Sequence, residues 1–115
     1  MIGSTNGNGA NVAPIKTNIL PSITPASGVS FRNATKVESP GAISITMQFD
    51  LTSAKSNGDT IVSNMPTPPK EFVYQLAQGN PTDIPCNVNP DGTIRIGGRG
   101  APTGTWYSLT YTYAI

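Results

Sequence analysis

The chain has no histidine and a single cysteine, Cys86, among its 115 residues. The usual zinc ligand sets and a Ser-His-Asp arrangement cannot be assembled from such a sequence, and no intrachain disulfide can form. Cys86 stands in Ile84-Pro85-Cys86-Asn87-Val88, where alternation puts it on one face with Ile84 and Val88. It reads as a small buried hydrophobe, with no imidazole to act as its base. Charge is also sparse: 11% of residues are ionic and the net charge is +1, against about 25% ionic residues in an ordinary soluble domain. The cations Lys16, Arg32, Lys36, Lys55, Lys70, Arg95 and Arg99 are scattered, so no nucleic-acid-binding surface is expected. No apolar run approaches the ~20 residues of a membrane-spanning helix. The Gly/Asn-rich start lacks the basic and apolar regions of a secretion signal. The expectation is a soluble protein made in the cytoplasm, without membrane insertion.

Good helix formers are few, while 12 Gly and 11 Pro make up about a fifth of the chain, above the usual ~12%. With one modest core's worth of residues, the predicted class is all-β. Residues 1–28 read as an extended N-terminal arm. The stretch Gly3-Ser4-Thr5-Asn6-Gly7-Asn8-Gly9 has nothing to bury, and then Ile15, Ile19, Leu20 and Ile23 alternate with Pro14, Pro21 and Pro25. That composition suits a strap lying in a groove and anchoring the chain. Residues 29–115 read as the folded domain.

Strand signals begin at Val29 and Phe31, break around Asn33-Ala34, and become unambiguous at Ile43–Leu51, where five apolar residues alternate with four polar ones. Thr60-Ile61-Val62 is a short strand ended by Asn64-Met65-Pro66-Thr67-Pro68-Pro69, which must lie at a rim because proline cannot donate to a ladder. Phe72, Tyr74 and Leu76 alternate with Val73 and Gln75 in a further strand. Asn89-Pro90-Asp91-Gly92 predicts a hairpin turn: Asn89 bonds to the backbone two residues on, Pro90 and Asp91 take the central positions, and Gly92 supplies a positive φ. After the loop Gly97–Gly104, the terminal strand places Tyr107, Leu109, Tyr111, Tyr113 and Ile115 on one side, as a core or oligomer-forming strand. The sum is an antiparallel β-sandwich, jelly-roll-like, of about seven or eight short strands.

Candidate chemistry is thin. The carboxylates Glu38, Asp50, Asp59, Glu71, Asp83 and Asp91 each occupy a turn or an exposed strand position, so no catalytic pair is assigned and no cofactor or metal is implied. Gly97-Gly98-Arg99-Gly100 lacks the ending of a phosphate-binding loop and reads as a connection between strands. Trp106 falls on the polar face of the last strand. Two readings stand side by side: a platform for a sugar ring or a subunit, or a residue covered by the neighbouring loop or strap. Arg99 is its expected polar companion.

From Ile61-Val62-Ser63-Asn64-Met65-Pro66 through Asn89-Pro90-Asp91-Gly92-Thr93-Ile94-Arg95-Ile96 to Gly104-Thr105-Trp106-Tyr107 and Tyr111-Thr112-Tyr113, the chain resembles the C-terminal β-sandwich modules of bacteriophage tail and baseplate proteins. These share a Met-Pro pair with a Pro-rich stretch, a hairpin carrying Asp-Gly-x-Ile, and a Gly-rich loop before an aromatic last strand. The resemblance covers roughly residues 43–115. It implies a non-catalytic virion protein displaying a host-binding surface, commonly as a homotrimer, with other virion proteins and a host surface glycan as partners. Those modules usually close a long tail protein, whereas this chain opens on Met1 without a coiled-coil or collagen-like stalk. A capsid decoration or head-fibre protein clamped by its arm therefore fits equally well. A carbohydrate-binding module is a third reading, motivated by Trp106 and the hydroxyl-rich strand face.

Overall fold

The computed structural model describes residues 13–115. The strands are β1 (Ile15–Asn18), β2 (Thr24–Pro25), β3 (Val29–Ser39), β4 (Ala42–Leu51), β5 (Thr60–Ser63), β6 (Val73–Asn80), β7 (Ile84–Val88), β8 (Ile94–Ile96) and β9 (Gly104–Ala114). All pairings are antiparallel, in the order β1-β3-β4-β9-β6-β7-β8-β5-β2, and the nine strands make one curled, half-barrel sheet. Among the described residues there is no helix.

The inner face follows from alternation. Ile43, Ile45, Met47, Phe49 and Leu51 of β4 are all buried, and Ser44, Thr46, Gln48 and Asp50 point the other way. On β9 the inward set is Tyr107, Leu109, Tyr111 and Tyr113. Ile115, expected to share that side, lies beyond the last pairing and is 64% exposed. Phe31, Phe49 and Tyr107 meet in register across β3, β4 and β9, with ring centroids 5.2 and 5.8 Å apart. Tilted aromatic neighbours of this kind add about 1 kcal/mol to their area burial.

The break expected near Asn33 is a one-residue bulge. Phe31 pairs with Phe49 and Asn33 with Gln48, so Arg32 is the extra residue. That single insertion reverses the parity of β3: Phe31 and then Ala34 face inward, three residues apart.

β6 turns the corner of the sheet. Val73–Ala77 pair with β7, whereas Gln78 and Asn80 pair with β9. Its inward residues at the corner are Ala77 and Gly79, and a Cβ on Gly79 would run into the Tyr107 ring. The bulky residues of this stretch, Phe72, Tyr74 and Leu76, are exposed instead. The far wing buries Ile84, Cys86 and Val88 of β7, Ile94 and Ile96 of β8, and Ile61 and Val62 of β5. In the β7–β8 turn Gly92 has φ +86° and its N–H donates to Asn89 O at 3.1 Å. The side chain that bonds two residues on is Asp91, which accepts from Thr93 N at 2.9 Å; Asn89 Nδ2 reaches back to Asn87 O instead.

The segment read as an arm contributes two of the nine strands. β1 pairs with β3, and Pro25 of β2 pairs with Val62 at the opposite edge of the sheet. Between them Ile19 N donates to Ala34 O (3.0 Å) and Ala26 N to Ile61 O (2.9 Å), so residues 19–26 run from one wing to the other. Ile19 and Ile23 are buried in this domain's own core, Leu20 packs partly against it, and Ile15 is 59% exposed. Residues 1–12 of the arm lie outside the described residues.

Candidate functional site

Asp50 sits on the outer face of β4, and each neighbouring strand carries an extra residue at or next to its level. On β3 this is Arg32. On β9, Gly104 pairs with Leu51 and Tyr107 with Phe49, leaving Thr105 and Trp106 opposite Asp50. Bulges re-aim side chains, and these two bring Arg32 and Trp106 onto one carboxylate. Arg32 donates to Asp50 through Nε (3.1 Å to Oδ1) and Nη2 (2.9 Å to Oδ2), a bidentate pair. The Trp106 backbone N–H donates to Oδ1 at 2.9 Å. The Arg32 and Trp106 hydrogen bonds outweigh partial desolvation and hold the Asp50 carboxyl below its ordinary range.

Trp106 adopts φ +58°, a left-handed conformation that costs a non-glycine residue roughly 1–2 kcal/mol. The Asp50 bond holds its amide, and the Arg32 guanidinium carbon lies 3.6 Å from the ring centroid. The indole is nevertheless 54% exposed. Along the same outer face, running away from it, lie amides and hydroxyls: Asn33 Nδ2 donates to Gln48 Oε1 (2.7 Å), Thr110 donates to Thr46 at 3.4 Å, and farther on the Ser44 and Thr112 hydroxyls bond at 2.8 Å. Such a surface can offer a partner the apolar area of the exposed part of the indole and hydrogen bonds from neighbouring polar groups. Asp50, with both oxygens engaged, is the brace of the site.

Trp106 thus occupies the polar face on which it was expected. Its cationic companion is Arg32, in place of the expected Arg99. Arg99 lies elsewhere, on a cleft of about 630 Å³ with Tyr74, Leu76, Asp83 and Pro85. The reason is register: the bulge in β9 turns Trp106 toward β4 and β3, while the Gly97–Pro102 loop is tied to Lys55 by reciprocal backbone bonds between Lys55 and Ala101, both 2.8 Å. Arg32 and Asp50 escaped the sequence reading, although the lost alternation between Phe31 and Ala34 marks the bulge that presents Arg32.

Of the terminal strand's expected core set, Tyr107, Leu109, Tyr111 and Tyr113 lie in the chain's own core. Burial raises the Tyr107, Tyr111 and Tyr113 phenols above their ordinary range. Three further carboxylates serve local structure: Asp59 accepts from Ser56 N (2.8 Å), Asp91 from Thr93, and Glu38 lies 3.9 Å from Lys36. No family model matches the chain, and no curated protein matches it.

Proposed function

We propose that this protein is a non-catalytic structural and recognition module of a bacteriophage particle, most simply in the tail or baseplate, and that the Trp106 face is its host-binding surface. The observation that carries the reading is the backbone of Trp106. A bulky aromatic in a strained conformation persists only where surrounding contacts over-determine it. Here an ion pair and a backbone hydrogen bond are used to keep an indole outside the core. The resemblance of residues 43–115 to phage β-sandwich modules supplies the biological setting, and the corner made by β6 suits a jelly-roll-like sandwich in which two wings face each other.

The test is binding of the purified protein to a panel of bacterial envelopes. Trp106→Ala should reduce binding to a recognised envelope about tenfold or more, and silence across the panel would remove the host-binding role. Association as a homotrimer belongs to the same proposal, and native mass spectrometry at micromolar concentration showing only monomer would count against it.

The second reading, a capsid decoration or head-fibre protein, draws on a different feature. Phe72 and Ile115 are both exposed and line one depression of about 450 Å³ with Tyr113, an apolar rim suited to contact with another virion protein. Antibody labelling of intact particles separates the two locations. A stand-alone carbohydrate-binding module would show glycan binding without particle association.

A further inference from the structure

One cleft of the described residues is separate from the Trp106 site. It lies between β6 and the Gly97–Pro102 loop, has a volume of about 630 Å³, and shares Leu76 and Asp83 with a smaller depression of about 330 Å³ that continues over Gln78 to Ser108 and Thr110. Together they form one groove running from the loop onto the hydroxyl-bearing face of β9. Tyr74 and Leu76 stand in it 57% and 45% exposed. Their exposure has a structural origin, because the inner side of β6 is reduced to Ala77 and Gly79 to admit Tyr107.

Resting on the recognition role proposed above, we infer that this groove binds an acidic saccharide, a chain bearing a hexuronate whose carboxylate pairs with Arg99. Three features define the ligand. Tyr74 and Leu76 offer bare apolar area to the flat face of a sugar ring, while Gln78, Asp83, Ser108 and Thr110 offer hydrogen-bonding groups to its hydroxyls. Arg99 has no carboxylate within 4.0 Å among the described residues. It is presented on a fixed turn: Gly98 and Gly100 take φ +57° and +85°, Gly100 N donates to Gly97 O at 3.1 Å, and a Cβ on Gly100 would collide with Lys55 O. The turn fixes the backbone from which Arg99 extends, and a guanidinium can pair with a carboxylate bidentately. The other cation of the cleft, Lys55, directs its ammonium to Ser27 O. Asp83, whose one bond is a long 3.4 Å contact from Gly79 N, is free to accept from hydroxyls and disfavours a dianion. The balance selects a monoanionic carboxylate over a dianionic phosphate monoester.

The experiment is titration of the full chain with trigalacturonate and with its methyl ester, followed through the amide resonances of Gly98 and Gly100. Trigalacturonate should shift both, the uncharged ester should bind about tenfold more weakly or worse, and Arg99→Ala should lose a similar factor. Tyr74→Ala should weaken both ligands, and Ile15→Ala, exposed on the edge strand β1 outside both sites, should change neither. Absence of binding by trigalacturonate, equal affinity for the ester, or full affinity in Arg99→Ala overturns the inference. Binding that depends on Trp106 and not on Arg99 would also overturn it, yet leave the host-recognition reading standing. Arg99-dependent binding with no envelope recognised would do the reverse.

Discussion

Three donors converge on the two oxygens of Asp50, and the conformation of Trp106 depends on that convergence. At φ +58° a glycine would be relaxed where alanine is strained, so Trp106→Gly should be more stable than Trp106→Ala by about 1 kcal/mol. This reverses the usual strand ranking, and urea unfolding of the two variants checks it. Asp50→Ala should cost about 1–2 kcal/mol, as expected for loss of charge-assisted hydrogen bonds at a partly exposed site. The same carboxylate sets an acid limit. Its folded pKa is lowered, by Arg32 first and the Trp106 amide second. Its contribution is therefore complete above the unfolded-state value of about 3.9 and disappears as pH falls through the lower folded value. Asp91, lowered by its bonds from Thr93, acts in the same direction. Urea midpoints between neutral pH and about pH 2.5 should fall across this acidic window, and less steeply in Asp50→Asn.

Among the elements, β6 is the one whose residues are chosen for a neighbour's side chain. Gly79 leaves room for the Tyr107 ring, so Gly79→Ala should destabilise by about 3 kcal/mol through overpacking. Pairing it with Tyr107→Leu should give a cost smaller than the sum of the two single changes, a coupling that a double-mutant cycle measures. The contrast between β4 and β6 shows how far local sequence reaches. β4 was legible because its face toward the core is continuous and its alternation unbroken. The β7–β8 hairpin was legible through its turn chemistry, although Asp91 does the bonding expected of Asn89. β1 and β2 were not, since four exposed residues and a Thr-Pro pair become strands only by pairing with β3 and β5. The Trp106 site was half legible: its aromatic could be placed by parity, but Arg32 and Asp50 reach it through two bulges that no local pattern couples.

On the scale of the whole molecule, the described chain is elongated, 52 × 25 × 23 Å, with a radius of gyration of 15.6 Å against about 13 Å for a compact chain of this length. A curled sheet so drawn out has two edges to join, and residues 19–26 join them. Ile19→Ala or Ile23→Ala should each cost about 2–4 kcal/mol, whereas Ile15→Ala, at an exposed position of β1, should change stability by less than about 0.5 kcal/mol. Calorimetric or urea unfolding distinguishes these outcomes. Removal of residues 1–28 should leave the remainder unable to unfold cooperatively.

Burial in β7 has one more consequence. Cys86 is fully enclosed and desolvation pushes its thiol up to about 12, so alkylating reagents can meet it only when the two wings come apart. The side chain is thus a native timer of global opening: maleimide labelling should accelerate in Ile19→Ala by about thirtyfold for each 2 kcal/mol lost, without any engineered probe.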